Sequence, residues 1–124
     1  MSKIAVILFH ANVFDIYPDK WVDDCLNSIA TQTHKDFEVY ELNYGHKDVS
    51  IYANTQKGQL YPKSVYFKHI LPNHSEAQNF ILNKVFEDGY DFAFNTNLDG
   101  MYSPLRIAKQ LPWLQSGYDI VTCY

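Results

Sequence analysis

Residues 94–100 read Phe-Asn-Thr-Asn-Leu-Asp-Gly, an apolar strand end running into a polar tip that carries one carboxylate, Asp99. Oxygen donors gathered at a strand tip suit a hard divalent cation, and a cation there suits a diphosphate. In an open α/β sheet, ligands bind outside the carboxyl ends of the strands. The plain alternatives are a turn or cap carboxylate for Asp99 and a turn former for Asn97. Polar residues fall at two further strand ends: His10 and Asn12, around Ala11, and then Asn43 and Tyr44. Asn both donates and accepts, which suits the edge of a base or a sugar hydroxyl. His10 reads equally well as an ordinary loop histidine, and Tyr44 as a packing residue. His69 and His74 stand five apart across a strand-to-helix break, which is no metal spacing. The sequence holds no Gly-rich phosphate loop, nucleophile elbow or Cys-His pair.

Hydrophobic periodicity gives the elements that must position these residues. Residues 4–9 are an unbroken apolar run, as in a strand buried on both faces. A polar loop over 10–17 follows. Pro18 fits a first helical turn, and Trp21, Val22, Cys25, Leu26 and Ile29 then repeat at helical spacing. Residues 37–42 read as a second strand and 65–70 as a third. The polar segment between them is long for a structureless loop, so a short helix is expected around 49–54. Asn73 followed three residues later by Glu76 resembles a capping box, and Ala77, Ile81, Leu82, Val85 and Phe86 mark a buried helix face ending at Gly89. A fourth strand is expected over 91–95. Ser103 is expected to cap a helix with Pro104 at its first position, bent near Pro112 and ended by Gly117. Residues 118–123 read as a final strand. Strands alternating with helices imply an α/β fold with a mainly parallel sheet and helices on both faces.

The length of 124 residues fits a single domain with one core. A net charge of −4 with no basic stripe argues against nucleic acid as partner. An aromatic fraction of 16 %, with ten Tyr, suits stacking on rings and hydrogen bonding to hydroxyls as well as core packing. Two cysteines, Cys25 and Cys123, read as buried free thiols. The first apolar run is too short for a secretory signal, and no run reaches transmembrane length. A cytoplasmic protein is expected. The apolar run 118–123 has nothing after it to cover it, so pairing with a second copy is expected there.

Through the runs 9–12, 21–33 and 73–79 and through Asn97-Leu98-Asp99-Gly100, the chain resembles the nucleotide-binding half of the family-two inverting glycosyltransferases, which have the Rossmann-like GT-A fold. Residues 21–33, Trp-Val-Asp-Asp-Cys-Leu-Asn-Ser-Ile-Ala-Thr-Gln-Thr, are similar to that family's Leu-X-X-Cys-Leu-X-Ser-Ile-X-X-Gln-Thr. Phe9-His10-Ala11-Asn12 stands where the family has Pro-Thr-Tyr-Asn. Residues 73–79 resemble Gly-X-Ser-X-Ala-Arg-Asn, and Asn97-Leu98-Asp99-Gly100 takes the place of Asp-X-Asp-Asp. The resemblance implies a nucleoside-diphosphate sugar donor, a UDP-sugar, and manganese or magnesium. It implies donor contacts at His10, Ala11, Asn12, Asn43, Tyr44, Gln78 and Asn97, and a metal ligand at Asp99. Three family positions that carry charge are neutral here, as Asn43, Gln78 and Asn97. The family keeps its general base in an acceptor half that these residues do not include, so residues 1–124 read as one nucleotide-sugar-binding domain, a fragment or short form of a larger transferase. The alternative implied by the neutral positions is a degenerate, non-catalytic nucleotide- or sugar-binding or scaffolding module.

Overall fold

The computed structural model describes residues 3–46, 51, 64–96 and 102–118. Strand β1 (Ile4–His10) is followed by a single helical turn, α1 (Val13–Ile16), and by helix α2 (Asp19–Ala30). Then come β2 (Glu38–Asn43), β3 (Ser64–Lys68), α3 (His74–Glu87), β4 (Phe92–Asn95) and α4 (Arg106–Gln115). The strands form one parallel sheet in the order β3-β2-β1-β4. β1 is therefore central, and all seven of its residues are buried. That is why its sequence is continuously apolar up to His10 instead of alternating.

Side chains on the two faces of the sheet build two cores. On one face Ile4, Val6, Leu8 and Val39 meet Val22, Cys25, Leu26 and Ile29 of α2 and Ile107 and Leu111 of α4. On the other, Ala5, Ile7, Phe9, Tyr40 and Leu42 meet Ala77, Ile81 and Val85 of α3. Helices thus cover both faces, as the alternation of elements implied.

The helix boundaries have local causes. The Asn73 side chain accepts the Glu76 N–H at 3.0 Å and caps α3. Gly89, at φ +87°, ends it in a Schellman turn, with Gly89 N–H on the Phe86 carbonyl and Tyr90 N–H on the Val85 carbonyl. Gly117 does the same for α4.

Two expectations shift. Residues 13–16 were expected in a loop. They close a helical turn because Val13 is buried and the chain bonds back on itself, Asp15 N–H to the Asn12 carbonyl at 2.9 Å and Tyr17 N–H to the Val13 carbonyl at 2.8 Å. The last helix begins at Arg106 and not at Pro104: the Ser103 carbonyl accepts the Arg106 N–H at 3.0 Å in a turn that precedes the helix, and the Ser103 and Pro104 carbonyls also hold the segment that follows α2. The Ser103 carbonyl accepts from Gln32 Nε2 and that of Pro104 from Thr33 N–H. The Ser103 hydroxyl accepts the Leu105 N–H and caps only a preceding turn. The helix expected around 49–54 (apart from Ile51), the strand expected over 118–123 (apart from Tyr118) and Cys123 lie outside the described residues. Among the described residues, no helix is long and apolar enough to cross a membrane.

Candidate functional site at the carboxyl edge of the sheet

Parallel strands bring the ends of β1, β2, β3 and β4 to one edge, and the residues just after β1 and just after β2 are packed directly on one another. The Tyr44 N–H donates to the His10 carbonyl at 2.9 Å, prolonging the β1–β2 pairing by one step. Gly45 sits so close to the β1 tip that a Cβ there would lie 3.0 Å from Ala11 Cα, Ala11 Cβ and Asn12 Oδ1. His10, Ala11, Asn12, Asn43 and Tyr44 are therefore brought together, as the sequence reading expected.

Their environments differ from one another. His10 is buried, and its Nε2 lies 2.7 Å from Glu41 Oε2. The same carboxylate oxygen accepts the Ile51 N–H at 2.8 Å. Asn12 holds the left-handed conformation, φ 51°, ψ 43°, which Asn tolerates better than other side chains that carry a Cβ. Its Oδ1 is buried without a partner among the described residues. Asn43 is 1 % exposed. Its Oδ1 accepts the Gly45 N–H at 3.0 Å, an Asx turn, and its Nδ2 donates to the Tyr66 hydroxyl at 3.3 Å. Asn43 thus shapes the loop from within the fold. Tyr44 is half-buried, and burial followed by the neighbouring Tyr17 phenol raises its pKa above the ordinary value of 10.0.

The N-terminus of α3 approaches the same edge. The His74 ring lies 4.7 Å from that of Phe9, which immediately precedes His10. Gln78, one turn further on, is half-buried. No described contact joins its side chain to the β1 and β2 tips. On the far side of β1, the end of β4 carries two more buried oxygens without a partner among the described residues, Asn95 Oδ1 and Thr96 Oγ1. Arg106, the single arginine of the chain, donates to the Asn95 carbonyl at 2.7 Å and lies 4.2 Å above the Tyr102 ring. Asn97 and Asp99 lie outside the described residues. Among the described residues, no three His, Cys, Asp or Glu side chains form a group that could hold a metal ion.

Sequence reading passed over Glu41, Gly45, Thr96 and Arg106. For Glu41 a signal was present. It stands two residues from Val39, on the same inward face of β2, where a carboxylate has no place without a buried partner. Gly45 showed no such sign, because its need arises from the approach of Ala11 and Asn12, more than thirty residues earlier in the chain.

No protein-family model matches the chain, and no curated protein does. Solved structures share its fold, among them the following. TarS of S. aureus, as its fragment 1–349, superposes with a TM-score of 0.67 at 15 % identity over 92 % of this chain and 32 % of that one. A second TarS structure gives 0.64 at 18 % over 92 % of this chain and 20 % of that one. A Desulfovibrio desulfuricans G20 protein, provisionally described as a nucleotide-diphospho-sugar transferase, gives 0.56 at 18 % over 93 % of this chain and 55 % of that one. The chain has the α/β fold of these proteins and spans about a third, a fifth and just over half of their lengths.

Proposed function

We propose that this domain binds a nucleoside-diphosphate sugar, a UDP-sugar, at the carboxyl edge of its sheet, as the donor half of an inverting glycosyltransferase. The observation that carries the reading is the strand order β3-β2-β1-β4. The order reverses at β1, so a crevice is expected between the tips of β1 and β4, the position favoured for ligands in doubly wound sheets. Asn12 Oδ1 on one side of that reversal, and Asn95 Oδ1 and Thr96 Oγ1 on the other, are buried oxygens still lacking a donor. The likeness to a protein described as a nucleotide-diphospho-sugar transferase agrees with this reading. The base and ribose are assigned to the tips of β1 and β2, with His10, Ala11, Asn12, Asn43 and Tyr44 as the contacting or shaping residues, and Gln78 of α3 to a further donor contact.

Asn97 and Asp99 follow directly after the oxygen-rich end of β4, and hard oxygen donors of this kind suit magnesium or manganese. A divalent ion held through Asp99 would supply positive charge to the diphosphate. The test is calorimetry with uridine and guanosine diphosphates, with and without manganese, on the parent chain and on Asp99→Asn. Manganese-dependent binding of uridine diphosphate that Asp99→Asn abolishes is expected. Binding of neither nucleotide overturns the reading. Unchanged metal dependence in Asp99→Asn makes Asp99 a turn residue.

A second reading is favoured by one observation. Asn43 stands where the resembled family carries Asp, and its polar atoms hold the Gly45 N–H of the loop and the Tyr66 hydroxyl of β3. In that reading the domain is a degenerate module that binds without catalysing transfer. Binding of the donor with no hydrolysis or transfer by the longer polypeptide, where one exists, would select it.

A further inference from the structure

A histidine and a carboxylate face each other inside the sheet. Glu41 is 1 % exposed and His10 4 %, and they face each other from adjacent strands at 2.7 Å. In the parallel register Glu41 stands opposite Leu8 and His10 opposite Asn43, so the pair bridges diagonally from β1 to β2. Burying an imidazole and a carboxylate is costly unless both are hydrogen-bonded, and a hydrophobic pair would fill the same space at lower cost. One carboxylate oxygen serves two masters here, since Glu41 Oε2 accepts from His10 Nε2 and from the Ile51 main chain. Ile51 is itself 5 % exposed and sits in the core beneath α2 and α4.

We infer that Glu41 is the positioning residue of the nucleotide site, acting through His10 and Ile51. The inference rests on the reading of that site as a nucleotide site. His10 immediately precedes Ala11 and Asn12, and its carbonyl accepts the Tyr44 N–H. With its ring fixed by Glu41, the β1 tip turns at Asn12 into the left-handed conformation and lies flat against Gly45. Glu41 also fastens the Ile51 main chain, ten residues downstream of itself, to the strand that ends at Asn43 and leads into Tyr44. One carboxylate therefore sets the relative placement of three segments at the carboxyl edge. Glu41 touches no ligand in this scheme.

The experiment uses Glu41→Gln and Glu41→Asp in the full chain. Gln keeps the length and one acceptor oxygen but loses the charge. Asp keeps the charge but is one methylene too short to reach both partners. Three quantities are read: hydrogen exchange of the Ile51 amide, the 15N chemical shifts of the His10 ring, and affinity for uridine diphosphate. In Glu41→Gln a fold that remains intact, at least tenfold faster Ile51 exchange, altered His10 ring shifts and at least tenfold weaker nucleotide binding are expected. Glu41→Asp is expected to keep His10 or Ile51 in place but not both, with an intermediate loss of affinity. Reduced thermal stability with unchanged Ile51 exchange and unchanged affinity overturns the inference and leaves the pair as a fold element. If the parent chain binds no nucleotide, the assignment of the site fails, while Ile51 exchange and the His10 ring shifts still decide whether Glu41 joins the three segments.

Discussion

Gln32 Oε1 accepts the Ile107 N–H at 3.0 Å, so a side chain at the end of α2 caps the start of α4 from 75 residues away. Leu105, at the cap position, has no side-chain acceptor of its own. The Gln32 amide nitrogen completes the clamp by donating to the Ser28 and Ser103 carbonyls. The Gln-Thr pair, which stood out in the sequence for its resemblance to a known motif, is thus a joint between two helices on the same face of the sheet.

Gln32→Ala is expected to destabilise the domain by about 2–3 kcal/mol, since it deletes buried hydrogen bonds and leaves the Ile107 N–H without its cap. Urea unfolding measures this. A loss below about 0.5 kcal/mol would mean that water replaces the amide at no cost.

Alkali is expected to unfold the domain through its tyrosines. Tyr40 donates to Asp88 Oδ2 at 2.5 Å, and burial first, then this bond, pushes its phenol up to about 12. Burial and hydrogen bonds with Glu38 and Tyr40 also raise Tyr90. The folded state holds protons that the unfolded chain releases near pH 10, so this contribution is complete below pH 10 and is lost as pH rises through about 12. Urea midpoints are expected to fall between about pH 10 and pH 12. Tyr40→Phe should make that fall shallower, and a fall of the same steepness would assign it to other groups.

Asn12→Ala and Asn12→Gly separate backbone from side chain. At φ 51° Ala costs about 1 kcal/mol or more, whereas Gly adopts that conformation freely. Asn12→Gly is therefore expected to keep its thermal midpoint within a few degrees yet bind uridine diphosphate more weakly. Equal binding by Asn12→Gly and the parent removes Asn12 from the site.

Gly45→Ala tests the contact between the two loops. Its methyl would stand 3.0 Å from Ala11 Cα, Ala11 Cβ and Asn12 Oδ1, so the β1 tip must give way. A destabilisation of about 1–2 kcal/mol together with weaker nucleotide binding is expected. Denaturation and calorimetry on one sample distinguish this from a purely local adjustment, which would move neither.

The elements legible in the sequence were those whose burial is repetitive. The apolar run of β1, the helical spacing of Val22, Cys25, Leu26 and Ile29, and the spacing of Ala77, Ile81 and Val85 all report one-dimensional patterns. Those patterns carry the parallel sheet and its two helical layers. Of the site, the grouping of His10, Ala11, Asn12, Asn43 and Tyr44 was legible because it needs only strand ends on one edge. What each side chain does there was not. Asn43, expected to contact a base or ribose, also holds Gly45 and Tyr66 with its amide, and His10, read equally as a donor contact and as a loop histidine, is the last residue of β1 and faces Glu41. Such partners lie 2 to 31 residues away, and no periodicity records them.

The central position of β1 also fixes an order of events during synthesis. Its first partner, β2, emerges some thirty residues later, but its second edge waits for β4, and Asp91, just before β4, accepts the Lys3 N–H across a separation of 88. Until then the most apolar strand of the chain offers an open row of amides and carbonyls to any passing extended segment. Pairing across so long a stretch closes slowly. A nascent chain that has passed β3 but not β4 is therefore the species most prone to aggregate, and it is the stage at which a chaperone would be needed.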